Sequence, residues 1–141
     1  MRKILFRAKS LEKDNLGEWI YGDLNHTSEF ETYIVPQYRE YGEIYNDGIM
    51  IDEKTVGQFV GLHDKNRKEI YEGDIIKMLR GIYKVVWSIS DVSFRLERWI
   101  TKEDGVKEVS FFITPYHESY VEVIGNIIDN PELIENNDED K

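Results

Sequence analysis

The chain has no cysteine, which excludes disulfides, thiolate metal sites and a cysteine nucleophile. It has no long apolar run: nothing approaches the roughly 18 residues that a membrane-spanning helix needs. The opening MRKILFRAKS is basic but carries only a three-residue apolar run, short of the roughly 7–15 that a signal peptide requires. A cytosolic protein is therefore expected. No P-loop and no G-x-S-x-G occur, so two common routes to phosphoryl and acyl transfer are missing. Positive charge is also scarce, with 18 Lys and Arg against 28 Asp and Glu and a formal net charge of -10. That balance does not fit a general nucleic-acid binder.

What is present is enough apolar residue, 40%, to build a core in one domain of 141 residues with room for a small appendage. Turn signals cut the chain into short strands. Ile4, Phe6 and Ala8 alternate with Lys3, Leu5 and Arg7. Residues 18–24 read as a second strand with Trp19 and Tyr21 on one face, and residues 25–40 read mostly as loop. Asp47-Gly48 marks a hairpin, and 56–62 form another strand.

The second half is more regular. Strands are expected over 73–79 and 82–88, turned by Arg80-Gly81. Val92, Phe94 and Leu96 alternate with Ser93, Arg95 and Glu97; Asp104-Gly105 makes a hairpin; Val109, Phe111 and Ile113 follow, then Val121, Val123 and Ile127. Such spacing predicts a mainly all-β fold, a small SH3-like barrel or a two-layer β-sandwich. Residues 1–60 would be an N-terminal β extension packing on it, 61–128 the barrel core, and 129–141 a short C-terminal helical turn with an acidic disordered tail. The turn is NPELIEN, with Asn130 as N-cap and Pro131 at the first helical position.

Residues 61–76, GLHDKNRKEIYEGDII, concentrate charge. His63, Asp64, Glu69, Glu72 and Asp74 have the donor types of an oxygen and imidazole metal site. Yet Asp64 and Asn66 are what a tight turn prefers, and Lys65 and Lys68 would repel a cation. The turn reading explains every residue, so no metal, cofactor or catalytic residue is assigned. Asp74-Ile75-Ile76-Lys77 lacks the spacing of a metal-dependent nuclease. His26, His63 and His117 fall in expected loops, His117 exposed.

The segment 77–102 runs against the overall charge. Lys77, Arg80, Lys84, Arg95 and Arg98 interleave with Tyr83, Trp87, Phe94 and Trp99, the mixture that single-stranded nucleic acid uses. On a half-buried strand the same pattern arises when cations face water and aromatics face the core. Lys77, Arg80, Lys84, Arg95, Arg98 and Trp99 are thus the candidate face for nucleic acid or a protein partner. Phe112 and Ile124 also fall on the outward side and form a candidate interface, covered by the N-terminal half, a second copy or a partner.

Three blocks carry a resemblance: KILFRAK at the start, VGQFVGLHDKNRKEIYEGDIIK in the middle, and VEVIGNIIDNPELI near the C-terminus. In order and spacing they are similar to the YopX-like proteins of bacterial phages and prophages. The resemblance implies a mostly β protein encoded by a mobile element, with no activity or catalytic residue to carry over. One departure is Arg67, where relatives commonly have glycine. The expected role is non-enzymatic: an accessory or adaptor protein in the bacterial cytoplasm, working through contacts with a host or phage protein or a second copy of itself. Nucleic-acid binding through the basic face is the alternative, and an acidic decoy for a host DNA-binding protein is a third.

Overall fold

The computed structural model describes residues 1–27, 31–36, 48–79, 81–103 and 105–135. The expected turn residues Asp47, Arg80 and Asp104 and the tail from 136 to 141 lie outside the described residues. The chain divides into two compact units, Met1–Phe59 and Val60–Lys141. Among the described residues the strand pairing is antiparallel, in two sheets, and the one α-helix, α1 at Glu132–Glu135, is a single turn. The mainly β expectation with a terminal helical turn holds.

The first unit contains β1 (Phe6–Lys9), β2 (Trp19–His26), β3 (Thr32–Pro36) and β4 (Ile49–Met50). β1 pairs with β2 through Arg7↔Tyr21 and Ala8↔Ile20. Ala8, Ile34 and Ile51 form a small core, with Phe6, Ile20 and Leu24 packed on it. β3 corrects the loop expected over 25–40. Its inward residues Thr32 and Ile34 are buried, and the Tyr33-Ile34-Val35 run has the aromatic and β-branched residues that strands favour. The first strand also departs from simple alternation: Arg7 and Ala8 are both buried, and the Arg7 guanidinium lies 4.6 Å from the Trp19 ring centroid. An aromatic face shelters the arginine stem, so a charged side chain occupies a covered strand face.

β5 (Gly57–His63) begins in the first unit, beside β1 at Phe6↔Gln58, and continues into the second. The second unit adds β6 (Glu69–Tyr71), β7 (Asp74–Met78), β8 (Gly81–Ser88), β9 (Ser93–Lys102), β10 (Gly105–Phe112) and β11 (Val121–Asn126). The last five make one sheet in the order β10-β9-β8-β7-β11. Their inner face carries Ile76, Met78, Tyr83, Val85, Leu96 and Val121, with Ile70 of β6 and Val60 and Leu62 of β5 in the same cluster.

The sheets are open, which corrects the SH3-like barrel. Curling five strands shut needs repeated bulges or glycine kinks. The register of β8, β9 and β10 runs unbroken, and the register shift falls in β11, between Val123 and Gly125. Val92 is a further correction: it sits in the β8–β9 turn with φ 53, exposed, rather than inward beside Phe94 and Leu96. At the C-terminus Asn130 does not cap α1 with its side chain. Its Oδ1 accepts from the Asn126 backbone N–H at 3.2 Å, while its carbonyl accepts from Leu133 at 3.1 Å.

Candidate binding face

The charged stretch 61–76 forms a hairpin turn between β5 and β6. Asp64 organises it from a buried position. Its Oδ1 accepts from the backbone N–H of Asn66 (2.8 Å) and Lys68 (2.9 Å), and its Oδ2 accepts from Val123 of β11 (3.0 Å). The Arg67 N–H closes the turn on the Asp64 carbonyl at 2.9 Å. Arg67 itself has φ 65, the left-handed value that glycine takes without strain. Two of the other acids are occupied locally: Asp74 accepts from the Tyr71 N–H at 2.8 Å and Glu69 from the Tyr71 hydroxyl at 3.1 Å. Among the described residues no three His, Asp or Glu side chains converge as metal ligands.

Strand parity assembles a different site. Cross-strand partners Lys84 and Glu97, Val86 and Arg95, and Arg95 and Phe112 share the outer face of the five-stranded sheet. Lys77, beside Ile82 and Glu122, belongs to the same face, as does Trp99, opposite Glu108. Of the expected set, Lys77, Lys84, Arg95, Trp99 and Phe112 are thus brought together. Trp99 and Phe112 remain 51% and 53% exposed. Ile124 lies at the β11 register shift and is half-buried, away from that open aromatic surface. Arg80 is outside the described residues.

Arg98 is not on this face, a correction to the expected set. It follows Leu96 and precedes Ile100 on the inner side, is 4% exposed, and lies 5.4 Å from the Tyr83 ring centroid. The alternation Leu96, Arg98, Ile100 carries the signal; ending the strand at 97 hid it. His117 is also buried rather than exposed. Thr114 donates its N–H to His117 Nδ1 at 3.0 Å, and the imidazole stacks on Phe111 with centroids 5.5 Å apart.

Two of the outer-face cations, Lys84 and Arg95, have carboxylates beside them, while Glu122 pairs with Lys65 of the hairpin turn at 3.5 Å. Lys84 Nζ lies 3.8 Å from Glu97. Arg95 donates to the Ser110 hydroxyl (2.7 Å), the Ser110 carbonyl (2.9 Å) and Asp91 (3.1 Å), and its guanidinium covers Phe112 at 4.4 Å. Burial and the facing Glu108 carboxyl, which hydrogen-bonds to it, hold the Glu97 pKa above its ordinary value, although Lys84 and Arg95 pull it down. Three cations (Lys77, Lys84 and Arg95) therefore share the face with Glu97, Glu108 and Glu122. Among the described residues no helix is long and apolar enough to cross a membrane.

The family model described as YopX protein matches residues 5–135. The comparison with curated proteins gives no match.

Proposed function

The chain belongs to the YopX family, and from that premise we propose that it is a binding module rather than an enzyme, docking a protein partner on the outer face of its five-stranded sheet. One observation carries this: the face exposes Trp99 and Phe112 within a set of charges that neutralise one another. Nucleic acid binding draws its affinity from cations that replace the phosphate counterions. Here Lys84 and Arg95 already have carboxylates beside them. Protein interfaces instead favour Trp, Phe and Arg at the centre with little net charge, and arginine-backed aromatics are common energetic anchors. As a mobile-element product the protein would act in the cytoplasm of its bacterial host, as an adaptor to a host or phage protein.

The test is site-specific photo-crosslinking in a bacterial host carrying the mobile element. A benzophenone side chain placed at residue 99 or 112 is expected to capture one and the same protein. The same probe at Leu79 or Tyr116 is expected to miss it: both are exposed, Leu79 next to the inner-face Met78 and Tyr116 packed on His117, which stacks on the inner-face Phe111. Equal capture from all four positions would refute the docking face. A salt-sensitive shift of single-stranded DNA or RNA at about 50 mM salt, lost on Lys77→Glu, would put nucleic acid in its place.

A further inference from the structure

The five-stranded sheet ends on β11 at one side and on β10 at the other. The β11 edge is sealed: Asp64 Oδ2 accepts the Val123 N–H at 3.0 Å, and the Lys65 N–H bonds the Val121 carbonyl at 2.9 Å. The β10 edge is open. Beyond its end the Ile113 N–H reaches the Phe94 carbonyl at 3.4 Å, so in this antiparallel ladder the odd-numbered residues turn their backbone groups to β9. Val106, Glu108, Ser110 and Phe112 therefore turn theirs outward. Among the described residues, the one partner on that side is the Arg95 guanidinium, which donates to the Ser110 carbonyl at 2.9 Å. A carbonyl has two lone pairs, so Ser110 keeps an acceptor site. β10 contains no proline, and its register is unbroken from Gly105 to Phe112, so neither a missing donor nor a bulge blunts this edge.

The side chains decide what the edge fits. A two-fold axis perpendicular to the sheet pairs β10 antiparallel with β10 of a second copy and keeps both sheet faces continuous, so the axis passes through one residue. Centred on Glu108, it sets two carboxylates directly opposite, which is unfavourable. Centred on Val109, it overlaps residues 106–112 and sets Val106 opposite Phe112 and Glu108 opposite Ser110, each twice. Val106 is 63% exposed and Phe112 53%, and a β-branched residue beside an aromatic is a favourable cross-strand pair. Ser110 is where Arg95 is held, by the hydroxyl at 2.7 Å and by the carbonyl. This register thus brings each Glu108 beside the Arg95 guanidinium of the second copy. Within one chain Glu108 faces another carboxyl, Glu97, to which it is hydrogen-bonded, so the added cation is complementary.

We propose that two copies of the chain pair edge to edge through β10, antiparallel about Val109, into one continuous sheet. The contact is lateral, so it leaves both faces of the sheet open and sets the two Trp99 and Phe112 surfaces side by side. It does not rest on the docking reading, and the purified chain alone tests it.

Sedimentation velocity of the full chain over a dilution series is expected to show a monomer–dimer equilibrium. Glu108→Arg, an exposed position, sets like charges together and is expected to weaken the dimer at least about tenfold. The register is read with single cysteines, which are unambiguous because the chain has none of its own. Val106→Cys and Phe112→Cys, mixed in equal amounts under mild oxidation, are expected to form a disulfide between them. Directly opposite residues lie about 5.5 Å apart at Cα, within disulfide range. Each variant alone is expected to stay unlinked, because its two copies of the cysteine lie roughly 20 Å apart along the strands. The proposal is overturned if the chain sediments as a monomer throughout, if Glu108→Arg dimerises as tightly as the parent, or if either cysteine variant links to itself as fast as to the other.

Discussion

Replacing Arg67 with glycine is expected to make the protein more stable. The turn places Arg67 at φ 65, where a side chain brings Cβ against the following carbonyl. For an ordinary residue that conformation costs about 1–2 kcal/mol. Glycine removes the clash, but its greater freedom in the unfolded chain returns about 0.4–1 kcal/mol. The expected net gain is therefore about 0.5–1 kcal/mol. Nothing else in the turn needs the side chain. Arg67 is exposed, and its hydrogen bond to Asp64 is made by the backbone N–H, which glycine keeps. The two Asp64 Oδ1 contacts are to Asn66 and Lys68, on either side. Urea unfolding of both proteins, followed by tryptophan fluorescence, measures the difference. With a slope of about 1.5–2 kcal/mol per molar for a domain of this size, the midpoint should rise by roughly 0.3–0.6 M. An unchanged or lower midpoint would refute the strain account, since no other consequence of the substitution offsets it.

Asp64→Ala removes an acceptor from three backbone N–H groups at a buried position, so a loss of about 3–5 kcal/mol is expected in the same unfolding assay. Glu97→Gln tests the pH dependence of the outer face. Because the folded-state pKa is raised above 4.5, any benefit of the protonated carboxyl is complete below that value and is lost as pH rises through the folded pKa. The glutamine variant should therefore gain on the parent in thermal midpoint from pH 4.5 upward to neutrality, with the gap closing in acid; a constant gap would contradict the shift. Gly81→Ala should destabilise by about 1–3 kcal/mol, because the added methyl displaces a packed guanidinium, and circular dichroism melting reads the change.

Strand positions in the second unit were legible because alternation is a local property: Val109 and Phe111, or Val121 and Val123, announce their face by spacing alone. The strained turn was legible for the same reason, since Asp64 and Asn66 dictate turn chemistry within five residues. Arg98 was not. Charge argued for water, while its strand neighbours argued for the core, and Tyr83 and Gly81, which decide the matter, lie on another strand. β3 was masked by the polar residues around it, although Ile34 is fully buried. Barrel closure depends on accumulated twist and register over five strands, a sum that no single segment encodes. The outer face was half legible: the cations stood out as a cluster, with the carboxylates of Asp91 and Glu97 in the same segment, but Glu108 and Glu122, which share the face, belong to strands remote in sequence.

The carboxylate of Asp64 reaches β11 across 59 residues, and the neighbouring Lys65 N–H bonds the Val121 carbonyl at 2.9 Å. On a ribosome this has a timetable. The chain emerges at roughly 5–20 residues per second, and the hairpin at 64–68 is made long before its last hydrogen-bond partner exists. β7 likewise waits with one edge bare until β11 is synthesised to pair with it. The second unit can therefore close only after β11 has been synthesised, and a message truncated before codon 121 leaves β7 as a bare edge strand. Such products are candidates for prompt proteolysis or for pairing with another nascent copy, so sealing of this sheet reports that β11 has been made.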